Sequence, residues 1–142
     1  MISLPLARSL KQAGLIWQAG VNDFFAIPDR GMDDRVFVIA DLLANLDIFR
    51  GWPVVTFHGS AEWALDYILT TEVVWLPSEE QLRHALLKVL PGDLTSLEFI
   101  FDGQSYHCSI ALERDTVQFA APTGAGAYGQ ALLHFLERRI RP

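Results

Sequence analysis

His58, Glu62 and Asp66 are the residues of this chain whose types and spacing come nearest to a chemical site. His58 stands where a strand pattern ends and a helix pattern begins. Side chains at such a junction are rigidly aimed and reachable from solvent. Glu62 and Asp66 are four apart and share a helical face, where like charges repel slightly. A cation or a basic partner would relieve that repulsion. With His58 the two carboxylates would make a mixed nitrogen and oxygen metal site, or the acid/base pair of a hydrolase-type enzyme. The simpler reading places both carboxylates in water, in the first turns of a helix whose dipole favours negative charge. We favour it and expect no tight transition-metal site. Three ligands with an open position suffice for catalytic zinc, but only one of these is a histidine, and no cysteine or further histidine lies close in sequence.

Other residues invite chemistry less directly. Pro28 to Arg35 is dense in alternating charge. Arg30, Asp34 and Arg35 in that loop could hold a carboxylate or phosphate through an arginine fork, although such loops are more often self-paired. Trp63 lies beside a core stripe and four residues from Tyr67, so it marks either a binding surface or packing. Cys108 has His107 beside it, which suggests a nucleophile and base. Neighbouring strand residues point to opposite faces, so the two should not meet, and Cys108 should be buried and inert. The run T-G-A-G-A-Y-G at 123–129 is rich in glycine and opens a helix. It does not match G-x-G-x-x-G and is only a weak anion-site candidate. No cofactor motif is legible.

Composition narrows the classes. In 142 residues, 51% hydrophobic and 20% charged, the chain fits a single domain (1–142) with one core. One cysteine, Cys108, cannot form an internal disulfide, which suits a reducing compartment. The N-terminus lacks the apolar run of a signal peptide, and no apolar run approaches a membrane span, so a cytoplasmic location and no membrane partner are expected. Net charge is -6 and unevenly placed: residues 23–80 carry eleven acids against three arginines, a balance of -8, whereas residues 81–142 carry six of each. An acidic half argues against nucleic acid, which needs clustered lysine and arginine. It suits a basic partner or plain solvation.

The elements that must position these residues follow from periodicity. Ser3 caps a first helix with Leu6, Leu10 and Ala13 inward, ended at Gly14. Short strands are expected at 23–27, 36–40 and 54–57, the first two forming a hairpin, with a turn at Gly51-Trp52-Pro53. Residues 42–49 are ambiguous. A helix is expected after Ser60 with Ala61, Ala64, Leu65 and Ile68 inward. A strand at 72–75 then precedes a helix whose Ser78 and Gln81 form a capping box, with Glu79 and Arg83 paired on its outer face. Asp102-Gly103 marks a hairpin within a C-terminal β-meander. A last helix places Tyr128, Ala131, Leu132, Phe135 and Leu136 inward, with Arg138, Arg139 and Arg141 at its C-terminal end.

Several segments resemble a family of small, uncharacterised bacterial proteins. They are A-G-L-I-W near Trp17, F-F-A-I-P-D-R at 24–30, V-F-V-I-A-D at 36–41, E-W-A-L-D at 62–66, V-W-L-P-S-E-E-Q-L-R at 74–83 and A-L-L-H-F-L at 131–136. The resemblance covers most of the chain and implies no catalytic residues. Some members of that family carry a pilus-assembly label taken from ATPases, which this chain, lacking a G-x-x-x-x-G-K-[ST] loop, does not support.

The expected fold is α+β, with about six mostly antiparallel strands in two groups, an N-terminal hairpin plus strand and a C-terminal meander, covered by about four helices. The expected function is a small binding or protein-interaction module without catalysis, with a protein partner or a second copy. The alternative is the metal- or acid/base-dependent enzyme built on His58, Glu62 and Asp66.

Overall fold

The computed structural model describes residues 1–31, 35–40, 44–57 and 67–140. The architecture is α+β, and every strand pairing is antiparallel. Among the described residues there are three α-helices and nine strands. The chain forms two compact units, one of residues 16–76 and one of residues 1–15 together with 77–142.

The unit of residues 16–76 holds β1 (Phe24–Ala26), β2 (Phe37–Val38), β3 (Ala44–Phe49), β4 (Trp52–Phe57), β5 (Tyr67–Leu69), a single 3-10 turn (Thr70–Glu72) and β6 (Val74–Leu76). The strands form two sheets, in the orders β2-β1-β6 and β3-β4-β5. The N-terminal strand group is therefore two sheets where the sequence suggested one. In the first, Phe25 lies opposite both Phe37 and Trp75, which puts three aromatic rings on one face. Trp17 covers them, stacked on Trp75 at 6.5 Å between centroids and tilted on Phe25 at 5.8 Å. Phe25, Ile27, Ile39, Val55 and Val73 complete this core.

A buried carboxylate ties the entry of this unit together. Asp23 Oδ2 accepts hydrogen bonds from the Trp17 indole N–H (2.9 Å) and from the Gly20 backbone N–H (3.0 Å). The Ile39 N–H donates to the Asp23 carbonyl, and the Asn22 N–H to the Ile39 carbonyl, each at 2.9 Å. Burying a carboxylate without donors is expensive. The donors fix where Trp17 sits and how β1 and β2 align.

One ambiguity is resolved here and two expectations fail, each for tertiary reasons. Residues 44–49 are a strand, because β4 offers them a full antiparallel ladder from Ala44 opposite Phe57 to Phe49 opposite Trp52. The turn is not at Gly51-Trp52-Pro53. It is Arg50-Gly51, with φ of +52° and +82°, a two-residue connection of the type that matches strand twist. Trp52 and Pro53 open β4. Of the helix expected after Ser60, residues 61–66 lie outside the described residues, and its last inward position, Ile68, lies in β5 opposite Val55. Pairing with β4 overrides the helical period there.

The second unit holds α1 (Leu4–Gln12), α2 (Glu79–Val89), β7 (Leu94–Phe101), β8 (Tyr106–Leu112), β9 (Thr116–Ala121) and α3 (Gly124–Ile140). Ser3 Oγ accepts from the Leu6 N–H at 3.3 Å, and Gly14, φ +104°, follows the helix end. The capping box is present in full: Ser78 Oγ accepts from the Gln81 N–H (3.2 Å) and Gln81 Oε1 from the Ser78 N–H (2.9 Å). The meander puts Cys108 opposite Phe99 and Phe119, and Ile110 opposite Leu97 and Val117. α3 packs on that face, and α1 and α2 pack on α3.

α3 can take this central place because its first turns are small. A Cβ at Gly126 would come within 2.9 Å of the Ala121 Cβ, and one at Gly129 within 2.9 Å of the Leu6 side chain. Ala125, Ala127 and Ala131 are buried, and so is Tyr128, whose ring stacks on Phe99 at 4.7 Å. No helix of the described residues is long and apolar enough to cross a membrane.

Removing the Ser78 hydroxyl should lower stability by ~1 kcal/mol, the usual size of a lost N-cap. Chemical denaturation of Ser78→Ala should show a lower midpoint with an unchanged slope; an unchanged midpoint contradicts the cap's role.

Candidate functional site

Of the residues singled out by sequence, Asp34, His58, Glu62, Trp63 and Asp66 lie outside the described residues. Arg30 is described and makes an ion pair, Nη2 to Glu72 Oε2 at 2.7 Å, with both side chains part-exposed. Arg35 is exposed. The structure therefore brings Arg30 to Glu72, a residue the sequence reading did not connect to it.

Cys108 is buried, and burial pushes its thiol up to about 11. His107 points to the other sheet face, as the period of two requires. There it joins a cluster that sequence reading missed. His107 Nε2 lies 2.7 Å from Asp102 Oδ2 and 3.2 Å from Ser105 Oγ, and Gln118 Nε2 lies 3.5 Å from His107 Nδ1. The residue types are those of a hydrolytic triad, but the geometry is not. In a triad the acid and the nucleophile occupy opposite ring nitrogens. Here both crowd Nε2, so the imidazole cannot be oriented by one and take a proton from the other.

The cluster instead closes a hairpin. Asp102 Oδ1 accepts from the Gln104 and Ser105 backbone N–H groups, each at 2.8 Å, and the Asp102 N–H donates to the Ser105 carbonyl at 3.1 Å. The loop spans Asp102 to Ser105, between the pair Phe101 and Tyr106. The backbone donors, with His107 adding to them, lower the Asp102 carboxyl from its ordinary 3.8 to about 2.

The glycine-rich start of α3 is also accounted for by packing. A Cβ at Gly124 would fall 2.6 Å from Glu79 Oε2 and 2.9 Å from the Phe99 ring. The missing side chain makes room for the Glu79 carboxylate beside the N-terminus of α3, where the dipole favours negative charge. Glu79 therefore occupies the position an external anion would take. Arg83 and Glu79, expected as a pair on α2, both lie close enough to Tyr128 to act on its hydroxyl, which burial pushes above its ordinary value.

A concave site lies at the other end of the same helices. It is an open cleft of about 530 Å³. Val89, Leu90 and Pro91 at the end of α2, Leu112 at the end of β8 and Phe135 of α3 give it an apolar floor. Lys88, Arg138 and Arg139 give it a cationic rim. Arg138 is aimed by its neighbour one turn earlier: its Nη1 lies 3.3 Å from His134 Nε2. A guanidinium only donates, so His134 accepts and is neutral in this contact. Burial, with Arg138 adding to it, holds the His134 imidazole below its ordinary value.

Sequence reading assigned Arg138 and Arg139 to the helix dipole alone. Lys88 is far from them in sequence, and only the packing of α2 on α3 unites the three. The signal available was that two adjacent helices both end in cations, one of them followed by V-L-P.

Comparison of the chain with family models, with curated proteins and with solved structures gave no match.

Asp102 contributes stability to the hairpin that is present above pH 3.8 and lost as pH falls toward 2, because its carboxyl is held down only in the folded state. An NMR titration of that carboxyl should give a midpoint near 2; a midpoint near 3.8 would show that the turn amides do not hold it.

Proposed function

We propose that this protein is a binding module without catalysis and that the cleft at the C-terminal ends of α2 and α3 is its ligand site. The observation that carries this reading is the cleft's composition. An apolar floor under a cationic rim is what a pocket needs to bury part of a ligand and orient the rest. Its lining offers no carboxylate, thiol or hydroxyl to act as base or nucleophile. The competing enzyme reading rests on His58, Glu62 and Asp66, which lie outside the described residues.

The anionic apolar dye 8-anilinonaphthalene-1-sulfonate is a direct probe. The native protein should bind it saturably, one molecule per chain, with backbone amide shifts confined to residues around Lys88 to Leu90, Leu112 and Phe135 to Arg139. A response that never saturates, or shifts only elsewhere, contradicts the assignment.

A second reading, contact with a protein partner or a second copy, is favoured by the β3–β4 hairpin. Trp52 is 63% exposed and Ile48 74% exposed beside the Arg50-Gly51 turn. Trp52 lies opposite Phe49 and Ile48 opposite Pro53, so the tip carries apolar surface on both of its faces. If two copies meet there, sedimentation velocity should detect a concentration-dependent dimer that Trp52→Ser abolishes. A wild-type chain that stays monomeric at every concentration excludes self-association through the tip.

A further inference from the structure

We infer that the cleft of Lys88, Arg138 and Arg139 takes a small amphiphile: an apolar chain ending in a carboxylate or phosphate group. The inference rests on the proposed binding role and names its ligand class. The volume, about 530 Å³, falls in the range of small-molecule sites.

The floor and rim ask for different halves of one molecule. Val89, Leu90, Leu112 and Phe135 offer hydrocarbon and an aromatic ring, which reward an apolar chain by removing it from water. The cations come from two helices and converge on one opening. Two are arginines, whose fork matches the planar oxygens of a carboxylate or the oxygens of a phosphate. The His134 contact restrains Arg138, so less side-chain freedom is lost when it engages an anion. Helix dipoles alone would account for cations at these ends. They do not account for an apolar hollow beneath them.

Nucleic acid fits less well. Its backbone needs a basic track, and this site is a single hollow in a chain of net charge -6. A neutral lipid or alcohol would leave the three cations without a role.

The test is a set of NMR titrations with decanoate, decyl phosphate, decanol and inorganic phosphate, each below its micellar concentration. Decanoate or decyl phosphate, or both, should bind saturably and shift the amides of the cleft, and which of them binds more tightly identifies the head group. Decanol should bind at least about tenfold more weakly for the lost charge-assisted hydrogen bonds, and inorganic phosphate at least about tenfold more weakly for the lost burial of the apolar chain. The double variant Arg138→Glu/Arg139→Glu changes exposed side chains, and its fold can be checked by circular dichroism. It should lose the anionic ligands and keep whatever affinity it has for decanol. Equal binding of decanol and decanoate would overturn the anionic assignment while leaving a binding cleft. Inorganic phosphate binding as tightly as decyl phosphate would overturn the apolar one. No saturable shift with any of the four would overturn both this inference and the binding role beneath it.

Discussion

The close approach of α3 to everything around it is the constraint on which the unit of α1, α2 and the β7–β8–β9 meander depends. One seventeen-residue helix must touch a sheet on one side and two helices on the other. Only small residues permit that where the backbones converge. Gly126 against Ala121 and Gly129 against Leu6 leave no room for a Cβ, and Gly124 leaves none beside Glu79 and Phe99. Further along the helix the buried residues include Leu132, Phe135 and Leu136. Phe135 faces the cleft as floor, and Arg138 and Arg139, one turn on, reach its rim.

The unit of residues 16–76 is held differently. Its core is aromatic and assembled by cross-strand register, with Phe25 between Phe37 and Trp75. Asp23 then anchors Trp17 over those rings through the indole N–H. A charged group serves here as a structural pin, stabilised by donors instead of being exposed. Outside the core the unit carries apolar side chains in solvent, Trp52 and Ile48 among them. This division, a pinned aromatic core and an apolar hairpin tip, is compatible with a surface that meets another molecule.

Much of the fold is legible in the sequence because the relevant signals are local. The Ser78 and Gln81 box, the cap at Ser3, the hairpin after Phe101 and the opposite faces of His107 and Cys108 all follow from residues within a few positions of one another. Where local period and tertiary pairing compete, the reading fails. Ile68 fits a helical stripe, yet β4 has an edge that Tyr67–Leu69 completes. The Arg50-Gly51 turn is hidden because arginine seldom takes positive φ. The Asp102 cluster combines a turn acid with a strand histidine, and only the four-residue loop brings them to 2.7 Å. The cleft is the least legible feature, since Lys88, Leu112 and Arg138 come from three separate elements. Its parts look individually ordinary: dipole cations, a strand end and a helix stop.

The chain is acidic, with eleven acids against three arginines in residues 23–80, whereas the last 62 residues carry six acids and six cations, three of the cations gathered over an apolar hollow. A cation cluster in an acidic protein is a selective place for an anion, since the field elsewhere disfavours one. The measurement that tests this most directly is the set of intermolecular NOEs between isotope-labelled decanoate and the protein. NOEs are expected from the decanoate methylenes to the side chains of Val89, Leu112 and Phe135. Contacts only to Trp52, Ile48 or other exposed apolar residues would contradict binding at the cleft.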